Sequence, residues 1–153
     1  MRAAPDILIA DDEILLRETL QEALEDDGHR VAVARHGGEA LAMLDRLARP
    51  ALVVLDLQMP IMDGVQFLAE LRRRPDQGDF GVVAMSATVN GQWVENAPGV
   101  FRTLRKPFEA QELLRVADEF FTRPRPSASA TAAAEQAAPL LGPAAAAAGP
   151  EQD

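Results

Sequence analysis

The segment that decides the fold runs from Leu52 to Gly64 and reads LVVLDLQMPIMDG. It opens with four consecutive apolar residues, which is typical of a central strand in a parallel sheet covered by helices on both faces. Asp56 follows this run at once. Further on, Asp63 and Gln66 have the spacing of a capping box, which marks a helix start. The segment therefore predicts a buried strand, a loop that begins with a carboxylate, and a helix.

Similar patterns lie on both sides of this segment. Further apolar runs of strand length are Ile7–Ala10, Val31–Ala34, Val82–Met85 and the weaker Gly99–Leu104. Between the runs, apolar residues recur at helical spacing around positions 16–24, 40–48, 65–71 and 113–121, and only weakly at 88–98. Strand and helix thus alternate five times. This order predicts an α/β fold, a doubly wound five-stranded parallel sheet with right-handed crossovers and helices on both faces.

The composition changes near Thr122 and divides the chain of 153 residues into two parts. Residues 122–153 contain 12 Ala and 5 Pro, with one Leu pair as the only large apolar content. Such a segment buries too little apolar surface to offset the entropy cost of ordering it. We therefore predict a domain at residues 1–121 and a disordered low-complexity tail at 122–153, which leaves no room for a second domain.

Charge and composition exclude several classes of function. The formal net charge is −9, which disfavours direct nucleic-acid binding because phosphates would be repelled. The chain has no cysteine, which excludes disulfides, Cys-ligated zinc and thiol catalysis. The N-terminus lacks the pattern of a secretory signal, and no apolar run approaches the ~18 residues of a membrane span. These features predict a cytoplasmic protein with no membrane insertion.

Polar residues follow four of the predicted strands and point to a single site. Asp11 and Asp12, Asp56, Ser86 and Lys106 all come after a strand, and ligands of such folds bind at the carboxyl edge of the sheet. Each residue alone has an ordinary explanation as a helix cap, a turn former or a solvated side chain. Three carboxylates converging on one edge would repel one another, and a bound divalent cation would resolve this repulsion.

Hard oxygen ligands indicate Mg²⁺, with Mn²⁺ as the alternative cation, and the lack of cysteine and of suitably spaced histidine disfavours zinc. Lys106 is the only lysine among 15 basic residues. Its compact ammonium is suited to holding phosphoryl oxygens, and Ser86 supplies a neutral hydrogen-bond donor. Carboxylates, a divalent cation, an ammonium and a hydroxyl together describe a site for phosphoryl transfer to a carboxylate.

With these residues in place, the sequence resembles the receiver domain of response regulators in two-component signalling, in its single-domain, CheY-like class. The resemblance covers about residues 6–121 and rests on four stretches in order. They are ILIADDE at 7–13, LVVLDLQMPIMDG at 52–64, VVAMSA at 82–87 and RKPF at 105–108. The resemblance implies the strand order 2-1-3-4-5. It also implies a stand-alone response regulator that acts through protein–protein contacts.

The resemblance assigns a role to each site residue. Asp56 would be the phospho-acceptor, Asp12 a direct Mg²⁺ ligand, and Asp11 a ligand acting mainly through a bound water. Asp56 and the backbone carbonyl of Gln58 would complete the protein's metal ligands. Lys106 would contact a phosphoryl oxygen. The donor would be a phosphohistidine on a sensor histidine kinase or a histidine phosphotransfer protein, and the receiver would then act on a downstream protein target.

Further implied features concern the surroundings of the acceptor. Ser86 would bond another phosphoryl oxygen and shift on phosphorylation, and the peptide before Pro107 would be cis. Gln58 and Thr88 would flank the mouth of the site. Such a domain is not a conventional enzyme, because it catalyses only its own phosphorylation and dephosphorylation.

The sequence also departs from the family pattern. Three residues before the lysine, where receivers commonly carry Tyr or Phe, stands Thr103. Phe101 lies on the same face of a regular strand and is a candidate substitute, with a different switch as the equal alternative. Trp93, in the weak segment 88–98, is either a partner anchor or a packed residue. His29 and His36 are predicted to be surface residues without a carboxylate partner.

Two alternative functions remain open at this stage. One is a receiver-like module that binds its protein partner without phosphorylation, which the departure at Thr103 motivates. The other is a Mg²⁺-dependent phosphatase of the haloacid-dehalogenase type, which also uses an aspartate nucleophile at a strand end. Such phosphatases carry a second aspartate two residues after the nucleophile. Gln58 stands at that position here and disfavours the phosphatase interpretation.

Overall fold

The computed structural model of the protein describes residues 4–87 and 99–122. The residues predicted to form a disordered tail from 123 onward lie outside this range. So does the weak helical segment 88–98, with the predicted positions of Thr88 and Trp93.

The described residues contain five strands and four α-helices. The strands are β1 (Ile7–Ala10), β2 (Val31–Ala34), β3 (Ala51–Asp56), β4 (Phe80–Ser86) and β5 (Val100–Arg105). The α-helices are α1 (Ile14–Asp26), α2 (Gly37–Met43), α3 (Gly64–Arg72) and α4 (Ala110–Thr122). Short 3₁₀ turns occupy Leu44–Arg46 and Gln77–Asp79. In the described part of the chain, no helix is both long enough and apolar enough to cross a membrane.

The five strands form one parallel sheet in the order β2-β1-β3-β4-β5. This confirms the predicted α/β architecture and strand order. The central strands β3 and β4 are buried along their whole length, as their uninterrupted apolar runs predict. The apolar run of β2 predicts the same burial, but three of its four residues are only half-buried because β2 lies at the edge of the sheet.

The sheet separates two apolar clusters, which we call the α2/α3 cluster and the α1/α4 cluster after the helices that cover them. Neighbouring residues of β3 point into different clusters: Leu55 packs in the α2/α3 cluster and Val54 in the α1/α4 cluster. The largest fully buried side chains are Phe67 in the α2/α3 cluster and Phe120 in the α1/α4 cluster. The added Cβ of an alanine at position 81 would overlap the Phe120 ring, so glycine in β4 makes room for it.

Local sequence signals set the helix starts. Asp63 caps α3, and its carboxylate accepts a hydrogen bond from the Gln66 N–H at 2.9 Å. The Gln66 side chain accepts from the Asp63 N–H in return, so the predicted capping box is confirmed. The predicted helix over 40–48 is shorter than expected, since α2 ends at Met43 and continues as a 3₁₀ turn.

The amino-terminal edge of the sheet carries an ion-pair network. The Arg74 guanidinium donates to Asp76 at 2.8 Å and to Asp45 at 2.6 Å. Arg49 pairs with Asp76 at 2.8 Å and lies over the ring of Phe80. The Arg74 guanidinium lowers the pKa of Asp76 to about 2. The network ties together the segments that precede β3 and β4, at the edge opposite the carboxyl ends of the strands.

Candidate functional site

The parallel arrangement brings the predicted polar residues to one edge of the sheet. β1, β3, β4 and β5 all end there, and each is followed or terminated by one of these residues. The Lys106 N–H donates to the Ser86 carbonyl at 2.8 Å, which extends the pairing of β4 and β5 beyond the last strand residue. Ser86 itself is buried at this edge.

The turn after β1 fixes Asp11 through both its side chain and its backbone. Asp11 is fully buried, and its Oδ1 accepts a hydrogen bond from the Glu13 N–H at 2.8 Å. Arg17, one turn into α1, donates through Nη1 to the Asp11 carbonyl at 2.9 Å. Asp12 is exposed. The turn therefore presents one fixed, buried carboxylate and one solvent-facing carboxylate.

Asp56 is held in a similar way at the end of β3. Its Oδ1 accepts a hydrogen bond from the Gln58 N–H at 3.1 Å, and the side chain is almost fully buried. Gly64 packs directly on this turn. A Cβ at position 64 would lie 2.6 Å from the Asp56 carbonyl oxygen and 2.7 Å from the Leu57 Cα. Glycine is required there because the backbone of the α3 start touches the backbone that carries Asp56.

Lys106 places its ammonium among three carboxylates. Its Nζ lies 3.1 Å from Asp11 Oδ2, 3.1 Å from Glu13 Oε1 and 3.4 Å from Asp56 Oδ2. The Lys106 side chain is only 13% exposed. The Lys106–Pro107 peptide bond is cis, as the resemblance implied, and so is Arg49–Pro50, which the sequence did not suggest.

The burial of these charges perturbs their protonation. Burial raises the pKa of Asp56 to about 6, and the nearby negative charge of Asp11 raises it as well. The hydrogen bond from the Gln58 N–H and the charge of Lys106 lower this pKa but do not outweigh burial. Burial lowers the pKa of Lys106, but its bonds to Glu13 and Asp11 outweigh this and leave the pKa above its usual value. At neutral pH the site therefore holds an ionised aspartate at an energetic cost, together with a firmly protonated lysine.

The carboxylates of Asp11, Asp12 and Asp56 can hold a divalent cation. One oxygen from each lies within 4.8 Å of the others, so the three can converge on a single ion. Hard oxygen donors of this kind suit Mg²⁺ or Mn²⁺. Two of the three carboxylates are buried beside a single ammonium, so a cation would relieve the charge imbalance. The donor set fits the cation that the sequence predicts.

Two residues in contact with the site were not singled out from the sequence. Glu13 contacts Lys106, and Arg17 fixes the Asp11 carbonyl. Glu13 directly follows the acidic pair, but nothing local indicates that it reaches a lysine 93 positions away. Arg17 lies six residues after Asp11, in the first turn of α1, and no local sequence pattern indicates its contact with the Asp11 carbonyl.

Phe101 does not lie where a regular strand would place it. The pairing of β4 with β5 shifts between Val82 and Val83, which pair with Val100 and Arg102, so Phe101 is an extra residue in β5. Its ring packs on Phe120 in the α1/α4 cluster.

Thr103 faces the other side of the sheet. It pairs with Ala84, which belongs to the α2/α3 cluster, while its neighbour Leu104 packs in the α1/α4 cluster. The expectation that Phe101 shares a face with Thr103 is therefore wrong, because the bulge reverses the alternation. Phe101 therefore does not supply an aromatic side chain on the face of Thr103.

The prediction that both histidines are surface residues without a carboxylate partner is wrong for His29, and for His36 it is wrong as to its exposure. His29 is half-buried, its Nδ1 lies 3.3 Å from Asp6 Oδ2, and its ring stacks against Phe121. His36 is half-buried as well and caps α2, since its Nδ1 accepts from the Glu39 N–H at 3.2 Å. Both residues have structural partners at positions away from the carboxylate cluster.

The fold and the site together define an α/β domain with an acidic, lysine-containing cluster at the carboxyl edge of a 2-1-3-4-5 sheet. The response regulator receiver domain family matches residues 7–118. The protein therefore belongs to the response-regulator receiver family of two-component signalling.

Curated relatives agree with this assignment. An uncharacterized 14.6 kDa protein of Leptolyngbya boryana is 34% identical over 120 residues, which cover 77% of this chain and 91% of that protein. The response regulator MprA of Mycobacterium leprae is 34% identical over 128 residues, covering 84% of this chain and 56% of MprA. The sensor histidine kinase AruS of Pseudomonas aeruginosa is 36% identical over 124 residues. The chain spans 12% of AruS, so the two longer relatives match it over only part of their length.

Solved structures show the same fold. The chemotaxis response regulator CheY4 of Vibrio cholerae superposes with a TM-score of 0.68 at 27% identity, covering 76% of this chain and 98% of CheY4. The receiver domain of NtrX from Brucella abortus superposes with a TM-score of 0.65 at 33% identity, covering 77% of this chain and the whole of that chain.

Proposed function

We propose that the protein accepts a phosphoryl group on Asp56 from a phosphohistidine, in the presence of a divalent cation, and signals through protein–protein contacts. The observation that carries this proposal is the juxtaposition of a buried Asp56 with the Lys106 ammonium, 3.4 Å away, inside a cluster of three carboxylates. A carboxylate, an ammonium and hard oxygen ligands are the groups that phosphoryl transfer to an aspartate requires.

In the proposed reaction, an oxygen of the Asp56 carboxylate attacks the phosphorus atom. A new O–P bond forms, the P–N bond of the phosphohistidine breaks, and its electron pair stays on the departing imidazole. The Gln58 N–H holds one Asp56 oxygen in place and so limits the rotation of the nucleophile. Because the pKa of Asp56 is about 6, the carboxylate is mostly ionised at neutral pH and able to attack.

Charge compensation is the second requirement. A divalent cation on Asp11, Asp12, Asp56 and the Gln58 carbonyl would offset negative charge on the phosphoryl oxygens. Lys106 lies close enough to Asp56 to contact one of those oxygens after transfer, and the buried Ser86 ends the neighbouring strand as a hydroxyl donor to another. The residues perform no other covalent chemistry, so the domain turns over only its own phosphate.

The partners follow from the family. A receiver takes its phosphoryl group from a sensor histidine kinase or a histidine phosphotransfer protein, and two relatives of this chain are named as a response regulator and a sensor histidine kinase. We assign the same class of donor to this protein, a protein target downstream, and a cytoplasmic location.

The test is phosphorylation by a small-molecule donor. Purified protein is incubated with phosphoramidate or acetyl phosphate, with Mg²⁺ or with EDTA, and its intact mass is measured. We expect one phosphate adduct in Mg²⁺, none in EDTA, none in Asp56→Asn, and a normal adduct in the control Asp26→Asn, which alters an exposed aspartate at the far end of α1. An adduct that persists in Asp56→Asn would refute the assignment of the acceptor.

A second candidate is a receiver that binds its target without phosphorylation. The observation in its favour is the bulge in β5, which directs Phe101 away from the face of Thr103 and leaves that position without an aromatic side chain. This candidate predicts that Asp56→Asn captures the same partner as wild type in a pull-down, with equal yield with and without phosphoramidate.

A further inference from the structure

The ammonium of Lys106 has three carboxylate partners, and they are not equivalent. Asp11 and Asp56 belong to the cluster of oxygens that can hold a divalent cation. Glu13 does not, although its Oε1 lies as close to Lys106 Nζ as the nearest oxygen of Asp11, at 3.1 Å. The lysine therefore has one partner whose charge a bound cation would leave uncompensated.

The position of Glu13 in the chain explains why its side chain is available to Lys106. Glu13 is the N-cap residue of α1, with an extended backbone, but its carboxylate makes no capping bond to the helix. Its N–H is taken by Asp11 Oδ1 at 2.8 Å, which fixes the turn. Its side chain points instead to the lysine and remains 63% exposed. The Glu13 side chain thus contacts the site and not the helix that it precedes.

A divalent cation changes the balance of forces on Lys106. In the metal-free protein, Asp11 and Asp56 attract the ammonium. When a cation takes these carboxylates, their charge is compensated, and the cation repels the ammonium at short range. Glu13 is then the remaining carboxylate among the three that contact Lys106 in the described structure. Since Lys106 is the chain's only lysine, no other lysine can take its place.

We propose that Glu13 is the positioning residue of Lys106, which keeps the ammonium beside the acceptor carboxylate while a divalent cation occupies the aspartates. The proposal deepens the proposed function and rests on it. It assigns to Glu13 no contact with the phosphoryl group. Its effect is exerted through Lys106, by the charge-assisted bond between Oε1 and Nζ.

The single lysine makes the proposal directly measurable. In full-length protein produced with ¹³C-labelled lysine, all ε-CH₂ signals belong to Lys106, and they are recorded by NMR in EDTA and in saturating MgCl₂. In wild type we expect two separate ε-proton shifts in both conditions, because the ammonium stays bound. In Glu13→Gln we expect them to merge into one narrow signal in MgCl₂ alone. Glu18→Gln removes an exposed glutamate of the same helix and should match wild type.

The second readout is the phosphorylation rate with phosphoramidate at saturating Mg²⁺, followed by intact mass. Loss of a charge-assisted bond predicts a rate about tenfold lower in Glu13→Gln, with a Mg²⁺ Kd from calorimetry within about threefold of wild type. Glu13→Asp keeps the charge on a shorter side chain and should recover part of the rate. Glu18→Gln should match wild type.

The outcomes separate the two proposals. If Glu13→Gln shows the same NMR signals and the same phosphorylation rate as wild type, the positioning role of Glu13 is overturned and the proposed function stands. A wild-type protein that binds Mg²⁺ but takes no phosphate would refute the proposed function, while the NMR comparison still decides whether Glu13 holds Lys106. A tenfold loss of Mg²⁺ affinity in Glu13→Gln with an unchanged rate at saturation would make Glu13 part of the metal site and overturn the positioning role.

Discussion

Replacing Asp56 by asparagine is expected to stabilise the metal-free protein at neutral pH. The substitution keeps the size of the side chain and the oxygen that accepts the Gln58 N–H. It removes a charge that is expensive to bury, and Lys106 keeps its bonds to Asp11 and Glu13. The side chain that we assign as nucleophile is therefore also a source of instability.

The magnitude follows from the pKa. Asp56 titrates near 3.8 in an unfolded chain and at about 6 in the folded protein, because burial disfavours its ionised form. The folded pKa is raised, so stability is highest below about pH 4 and is lost as the pH rises through 6. Above pH 7, ionised Asp56 lowers the free energy of unfolding by about 3 kcal/mol relative to a group that cannot ionise. For a domain of this size, that corresponds to about 10 °C in Tm.

The assay is urea denaturation of wild type and Asp56→Asn in EDTA at a series of pH values from 4 to 8. We expect nearly equal stability at pH 4 and a growing advantage of the variant up to about pH 7. Asp26→Asn, an exposed control, should follow wild type within about 0.5 kcal/mol. Addition of Mg²⁺ should stabilise wild type more than the variant, since binding to the folded state adds stability. A variant less stable than wild type at pH 8, or a difference that does not change with pH, would refute the reasoning.

Three other substitutions test the packing and the charges. Gly81→Ala should lower the free energy of unfolding by about 2 kcal/mol, because the added methyl group overlaps the Phe120 ring. The control Gly78→Ala adds a methyl group that meets nothing within 4 Å and should change the free energy of unfolding by less than about 0.5 kcal/mol. Both values are measured by urea denaturation. Gly64→Ala should displace the turn that carries the acceptor and weaken Mg²⁺ binding about tenfold in calorimetry, and unchanged affinity would contradict this. Asp76→Asn should lower the free energy of unfolding by about 1 kcal/mol at pH 7, allowing for solvent screening, because its arginine partner depresses the pKa of Asp76. This difference in stability should fade between pH 4 and 2. A difference that persists at pH 2 in urea denaturation would show a different origin.

The sheet could be predicted from the sequence because its central strands are buried on both faces. In β3, the run from Ala51 to Leu55 has no polar residue, which a strand covered by helices on both sides requires. The order of the strands came from the family resemblance, because periodicity carries no information on neighbours. The edge position of β2 is part of that order. Periodicity alone does not reveal it, because the sequence of β2, Val31 to Ala34, reads like that of a central strand.

The rule that parallel strands end at one edge of a sheet predicts that Asp11, Asp56 and Lys106 lie together. The contact of Glu13 with Lys106 was not found, since it joins residues 93 positions apart through an exposed side chain. The direction of Phe101 was predicted wrongly because one additional residue in β5 inverts the alternation, and a period-two pattern cannot reveal where pairing slips.

The division of the interior by the sheet has a consequence for how the protein responds to change. The two apolar clusters lie on opposite faces of the sheet, so the strands stand between a cavity made in one cluster and the side chains of the other. Substitutions in different clusters should add, whereas those within a cluster should interact. Val54 and Leu55 point to opposite sides, and Asp56 comes directly after both. Asp56, which we propose as the acceptor, is thus carried by a strand that packs against both clusters.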